Sequence, residues 1–297
     1  MSLRRRAVLA AAGFVALACA TSDSPTNTGG GGGNGSLPQF SHVVIVVEEN
    51  HDYDQVDATA MPYLHSLRTQ YGYATEYYAN THPSIGNYFM LTAGQIITNS
   101  DGYSATITED NIVRHLLAAG KSWKSYAEDL PSVGYTGQKS GDYARKHNPL
   151  SFFSDVVNDS AQRQRLVPFT QFATDLAGDS LPNYSFVVPN LCNDAHDCGL
   201  GTADSWLQTN IAPLLAKPSF QTDGLLVIVF DEADSDDLHG GGRIVWVVIS
   251  PKAKSGFTSS SLYQHESTLR LMAEGLGLTS FPGAAAQASN MAEFFTP

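Results

Sequence analysis

Three stretches, 42–47 (HVVIVV), 225–230 (LLVIVF) and 244–249 (IVWVVI), are apolar at almost every position and rich in β-branched side chains. A strand wetted on one face alternates apolar with polar residues, whereas a strand covered on both faces does not. Runs of this kind therefore demand a sheet with helices above and below it. Further strands are predicted at 73–78, 121–126 and 184–188. Helical spacing marks 61–70, with Met61, Leu64 and Leu67 on one side, and also 85–91, 111–119 behind an Asp110 cap, 166–176, 204–215 and 267–275. Strands alternating with helices predict an α/β fold, a three-layer sandwich with a mainly parallel central sheet.

In such sheets ligands gather beyond the carboxyl ends of the strands. The polar residues of this chain cluster there. Glu48, Glu49 and Asn50 end the first strand, Asn80 and Thr81 the second, Asn190, Asp194 and His196 come after 184–188, and Asp231 and Glu232 after 225–230. Carboxylates brought to one rim repel each other unless protons or a cation neutralise them. A bound divalent metal is the economical solution, and the preponderance of oxygen donors favours Mg²⁺, Ca²⁺ or Mn²⁺ over a thiolate-type Zn²⁺ site.

The turn Thr81-His82-Pro83-Ser84 leads into the 85–91 helix. Pro83 suits the first helical position, where its missing N–H is no loss, and the unpaired N–H groups of a helix start favour an anion. A hydroxyl there becomes a nucleophile when a metal lowers its pKa. Thr81 is the expected nucleophile and metal-bound oxygen, with Ser84 as the alternative nucleophile or as a helix cap. The Gly240-Gly241-Gly242 run lacks the Lys-Ser/Thr of a phosphate loop and is read as a turn feeding the next strand.

The N-terminus begins with Arg4-Arg5-Arg6, an apolar run and small residues before Cys19, the pattern of a secretory signal over 1–19. Cleavage before Cys19 leaves a lipidated cysteine, and cleavage after Ala20 releases a soluble protein. The expected location is thus a bacterial surface or the periplasm, or the medium, with membrane contact only through the lipid. Residues 20–38 read as a Gly-rich flexible tether and 39–297 as one domain. With Cys19 assigned to the signal, Cys192 and Cys198 remain as a disulfide pair in an exported protein. The net charge of −12 argues against nucleic acid as a partner.

Taken together, HVVIVVEENHDYDQV, NTHPSIGNYFMLTAG, FVVPNLCNDAHDCG, VIVFDEAD, RIVWVVISPKAKSG and YQHESTLRLMAEGLGL resemble the bacterial phosphoesterase family of acid phosphatases and phospholipase C enzymes within the alkaline phosphatase superfamily. The resemblance implies an alkaline-phosphatase-like fold and an exported acid phosphatase that hydrolyses phosphomonoesters, phosphoinositides or nucleotides among them, through a phosphoryl-threonine intermediate. It implies Glu49, Asn50, Thr81, Asp231 and Glu232 as metal ligands, for Mg, Ca, Mn or Zn, with Asn50 also contacting phosphate. His196 is expected to protonate the leaving group, and His82, Asn190 and His265 to bind substrate. His42, His65, His115 and His147 are read as structural or surface residues. A phospholipase C-type phosphodiesterase and a non-catalytic metal- or partner-binding surface lipoprotein are the rival readings. The compact size of the chain favours the acid phosphatase branch.

Overall fold

In the computed structural model, residues 36–296 are described. The readings of 1–19, of Cys19 and of the tether up to residue 35 lie outside them. Eight strands, β1 (His42–Glu48), β2 (Gly72–Ala74), β3 (Trp123–Ala127), β4 (Leu166–Pro168), β5 (Tyr184–Val188), β6 (Gly224–Phe230), β7 (Trp246–Ile249) and β8 (Phe257–Ser259), form one sheet. Their order is β8-β2-β7-β6-β1-β5-β3-β4. The apolar runs occupy its centre: β1 is buried from Val43 onward and β6 throughout. β1 runs parallel to both β5 and β6, while β7 is antiparallel to β6 and β2. The sheet is mixed but mostly parallel, as expected.

Helices cover both faces, which is what uniformly apolar strands require. They include α1 (Pro62–Gln70), α2 (Ile85–Ala93), α3 (Ile112–Ala118), α4 (Thr170–Ala177), α5 (Leu200–Asn210) and α6 (His265–Gly275). α6 packs on α2 and α3, and α1 packs on α5. Every residue of α2 is buried, so the helix behind the Thr81–Ser84 turn lies inside the protein. Among the described residues, no helix is long and apolar enough to cross a membrane.

Four local expectations give way. The 73–78 strand divides at the half-buried Thr75 and Glu76: Gly72–Ala74 stays in the main sheet, and Tyr77–Tyr78 pairs with Tyr263–Gln264. The 166–176 helix is a strand up to Pro168 and a helix only from Thr170, because Pro168 disfavours helical backbone before it. The 204–215 helix starts earlier, at Leu200, and Pro213 confines its end to a separate turn at Ala212–Leu215. The cap of α3 is Asn111, whose side chain accepts from Val113 N, while Asp110 accepts or shares a proton with His115 Nε2 at 2.8 Å.

The register of the central strands sets where the residues beyond their ends must lie. Val46 lies beside both Val187 and Ile228, and Glu48 beside Phe230. One residue further, Asp231 N donates to Glu48 O at 2.9 Å and Glu49 N donates to Asp194 O at 2.8 Å. Three strand ends are thereby tied together by backbone hydrogen bonds before any side chain contributes.

Met61 precedes α1 and carries no capping oxygen. The orphan donors are met from another helix, since the buried Asp204 of α5 accepts from Tyr63 N and Leu64 N, both at 2.9 Å. Asp204→Ala is expected to lower the unfolding free energy by about 1–3 kcal/mol, as for buried donors stripped of a charged acceptor. Urea denaturation of the two proteins measures this; an unchanged midpoint would refute the cross-helix cap.

Candidate active site

Glu49, Asp231 and Glu232 converge at the ends of β1 and β6, and all three are buried. Tyr88 of α2 donates to Glu49 Oε1 at 2.7 Å. Asn50 N donates to Asp231 Oδ1 at 3.2 Å. That bond needs Asn50 in the left-handed region, at φ 49°, a conformation asparagine tolerates better than most residues. Asp231 Oδ2 is buried and has no hydrogen-bond partner. Burial, then the nearby Asp231 and Asp194, raises the Glu49 pKa well above the usual carboxylate range. Burial and then Glu232 do the same to Asp231, and burial raises Glu232. Without a counter-charge these groups hold protons; with a cation they hold it instead.

The hydroxyl seated among them is Ser84. Its Oγ lies 3.1 Å from Glu49 Oε2 and 3.0 Å from Glu232 Oε1. A hydroxyl has one proton to donate, so two carboxylate neighbours leave one contact that a proton or a cation must complete. Thr81 takes a different position, contrary to expectation. Its Oγ1 donates to His82 O at 3.1 Å and accepts from Asn99 Nδ2 at 2.9 Å. Ser84 stands at the N-cap position of α2 but makes no capping bond with its side chain, so its expected role as a cap is also withdrawn. The turn that carries both hydroxyls, with a cis bond between His82 and Pro83, directs Ser84 rather than Thr81 toward the strand ends.

Asn87, buried one turn into α2, holds that turn in place. Its Oδ1 accepts from Asn80 N at 3.0 Å and Thr81 N at 3.2 Å, and its Nδ2 donates to Thr81 O at 2.8 Å. The triple-glycine turn presses on the other side. A Cβ on Gly240 would fall 2.3 Å from Asn80 O, and one on Gly241 2.4 Å from Thr81 O. The glycines thus allow the close approach of one backbone to another, a role beyond feeding the strand after them.

The histidines divide by location. His82 Nδ1 lies 2.6 Å from Glu232 Oε2 and its Nε2 is 3.2 Å from Asp236 O, so it orients a carboxylate of the cluster, with its side chain 32% exposed. His265 is fully buried and bonds Asp231 O through Nε2 at 2.7 Å. Burial pushes its pKa down to about 4, and the ring holds the residue that follows β6 through that bond. Asn190 is also absent from the cluster: its Oδ1 accepts from Cys192 N and Asn193 N, and its Nδ2 donates to Asp129. It shapes the loop closed by the Cys192–Cys198 disulfide, which is formed as expected.

His147 belongs to the site, although the sequence reading placed it outside. It is buried, stacks on Tyr88, lies 3.0 Å from Glu49 Oε1 through Nε2 and 3.2 Å from Asp194 Oδ2 through Nδ1. Burial lowers its pKa well below the usual value, and burial raises that of Asp194 to about 7. Glu49, His147 and His196 bring donor atoms within 4.8 Å of one another, close enough to hold a metal ion. His196 bonds Asp197 Oδ1 through Nδ1 at 2.7 Å, which leaves Nε2 toward a cavity of about 550 Å³. Lys146 lines that cavity too, with Nζ 3.5 Å from His196 Nε2 and 2.8 Å from Asp101 Oδ2. One edge of the site is therefore mainly carboxylate and hydroxyl oxygen, with His82 against Glu232, and the other carries Lys146 and His196.

A profile of the Phosphoesterase family matches residues 56–279 of the chain. Curated proteins with similar sequences include a phosphatidylinositol-3-phosphatase of Mycobacterium tuberculosis, 34% identical over 82% of this chain and 79% of that protein. A probable acid phosphatase of Kluyveromyces lactis is 32% identical over 77% of this chain and 56% of its own length. A phosphate-repressible acid phosphatase of Penicillium chrysogenum is 32% identical over 81% and 60%. The chain thus spans little more than half of these two fungal relatives. Solved structures with the same fold include an alkaline phosphatase superfamily protein from Vibrio parahaemolyticus, at TM-score 0.56 and 12% identity over 80% of this chain and 67% of that one. Another is a phosphonate monoester hydrolase of Agrobacterium radiobacter, at TM-score 0.56 and 12% identity over 86% and 77%.

Replacing Asn87 by Ala strips partners from two backbone N–H groups and a carbonyl and is expected to cost about 2–4 kcal/mol of stability. Thermal and urea unfolding test it. A loss below the error of the measurement would show that the turn does not depend on this side chain.

Proposed function

The chain belongs to the Phosphoesterase family, and from that premise we propose that it is a metal-dependent acid phosphatase that hydrolyses phosphomonoesters through a phosphoryl-serine at Ser84. The observation that carries the reading is the Ser84 hydroxyl between Glu49 and Glu232, beside the unpartnered Oδ2 of Asp231. Glu49, Asn50, Ser84, Asp231 and Glu232 are the residues that would hold the metal. Their fit is chemical: all can offer oxygen, and a buried carboxylate oxygen without a donor is what a cation satisfies. Oxygen donors favour a hard ion such as Mg²⁺, Ca²⁺ or Mn²⁺. Such an ion, when bound, offsets the carboxylate charge and stabilises the serine alkoxide.

The protein's own residues do the rest. Tyr88 and His82 orient Glu49 and Glu232, and these direct the Ser84 hydroxyl and take its proton toward their oxygens. Ser84 Oγ then attacks phosphorus in line, forming the Oγ–P bond as the ester P–O bond breaks. His196, oriented by Asp197, gives a proton to the departing alkoxide from the cavity side. Water subsequently displaces Ser84 and yields inorganic phosphate. Thr81 supports the turn. A likeness to a phosphatidylinositol-3-phosphatase supports phosphoinositide headgroups as candidate substrates. Export, with lipidation at Cys19 as one route, is part of the same proposal and rests on the N-terminal sequence pattern.

Ser84→Ala is expected to abolish p-nitrophenyl phosphate hydrolysis, by at least about a thousandfold as nucleophile deletions do, and Thr81→Ala to retain most of it. The reverse ranking would return the nucleophile to Thr81. Chelation of the wild type should remove the activity and add-back of Mg²⁺, Ca²⁺ or Mn²⁺ restore it; robust turnover in the chelated enzyme would refute the metal. Faster cleavage of bis-p-nitrophenyl phosphate than of the monoester would favour the phosphodiesterase reading.

A further inference from the structure

Among the described residues, Lys146 is the one lysine or arginine that both lines the cavity and borders the carboxylate cluster. It is reached from the site through His147, next in sequence and 3.0 Å from Glu49, and through His196 at 3.5 Å. Its side chain is 17% exposed, so it is largely withdrawn from water. Such a lysine needs a persistent reason to stay charged there. The reason in this structure is Asp101, whose Oδ2 it meets at 2.8 Å.

Asp101 makes a second contact that gives the pair meaning. Its Oδ1 lies 3.4 Å from the backbone N of Ile85, the residue after Ser84. One carboxylate thus bridges an N–H beside the nucleophile and the Lys146 ammonium. The bond to Ile85 is long for an N–H donor, and at least one of the three Lys146 protons is left over beyond Asp101. A phosphoryl group on Ser84 Oγ would lie beside the Ile85 N–H, one of the two donors that Asp101 meets, and Asp101 joins that donor to the second, Lys146.

Building on the phosphatase reading, we propose that Lys146 is a phosphate-binding residue of this enzyme, which exchanges Asp101 for a phosphoryl oxygen of the substrate. The cavity of about 550 Å³, lined by Gln138, Lys139, Leu191 and His196 as well as Lys146, then receives the leaving group. Its lining suits a polar, hydroxyl-bearing leaving group of inositol or nucleoside size better than a bare alkyl chain. The same placement makes Asp101 a competitor of phosphate, which weakens retention of the product.

The test uses the purified full chain loaded with metal, with calorimetric titration of inorganic phosphate and steady-state kinetics on p-nitrophenyl phosphate. Lys146→Met is expected to weaken phosphate binding about ten- to hundredfold, as loss of a charge-assisted contact does, with a thermal midpoint near that of the wild type. Asp101→Asn is expected to bind phosphate more tightly than the wild type. A folded Lys146→Met protein with unchanged phosphate affinity overturns the proposal. Should Lys146→Met not fold, Asp101→Asn decides: unchanged or weaker phosphate binding overturns it as well. A wild type that neither hydrolyses the ester nor binds phosphate sinks the phosphatase reading and this inference together, whereas active wild type with indifferent variants sinks the inference alone.

Discussion

Three carboxylates held side by side away from water impose the constraint on which the rest of the site depends. Burial disfavours the charged form of Glu49, Asp231 and Glu232 alike, and repulsion within the cluster adds to it at Glu49 and Asp231, so the three are not all ionised there without a counter-charge. Side chains cannot relieve this by moving apart, because the backbone hydrogen bonds from Asp231 to Glu48 and from Glu49 to Asp194 lock the strand ends together. Tyr88, Ser84 and His82 each direct a polar group at the cluster. They neutralise part of the demand for donors and leave Asp231 Oδ2 unmet. A protein stable with such a cluster has a reason to keep it, and binding a cation is the reason consistent with the geometry.

The central sheet was legible because uniform burial writes a uniform apolar run, and the parallel arrangement then told which ends of the strands to inspect. That rule points to Glu49, Asp231 and Glu232, which converge, and equally to Asn190, which does not join them. The edges were harder to read. Gly72–Ala74 and Leu166–Pro168 are three-residue strands, too short to show a period, and Pro168 was the signal that should have separated strand from helix. His147 left no trace of its role: it ends a short 3₁₀ turn far along the chain from Glu49, and only folding brings the two within 3.0 Å. The same holds for Asn87, whose three hydrogen bonds to the turn have no periodic counterpart in the sequence.

Choosing between Thr81 and Ser84 shows where motif reasoning reaches its limit. The sequence established that a hydroxyl precedes a buried helix, and both candidates satisfy that statement. What separates them is the path of the chain through His82 and Pro83, which turns one hydroxyl to the strand ends and the other toward Asn99. Asn87 from within the helix and Gly240–Gly242 from outside confine this path. The placement of the Ser84 hydroxyl among the carboxylates comes from residues outside that cluster.

The two edges of the site have opposite electrostatic characters, and this bears on how an acidic protein can attract an anionic ester. With a net charge of −12, the protein's far field repels a phosphate, and at physiological ionic strength that field fades within about 8 Å of the surface. Local charge then decides. On the carboxylate edge, attraction of a phosphate would require a bound cation, because ionised carboxylates alone repel an anion. On the other edge Lys146 and the imidazole of His196 present nitrogen donors to the cavity without any metal. In the proposed reaction a phosphoryl group entering between the edges would be drawn by a cation on one side and by the lysine on the other, with its leaving group on the side of His196. Asp101 and Asp197, each bonded to one of the nitrogen groups, keep that edge from accumulating excess positive charge when it is empty. In the proposed reaction the polarity of the site, rather than the charge of the whole molecule, would set the orientation of the ester.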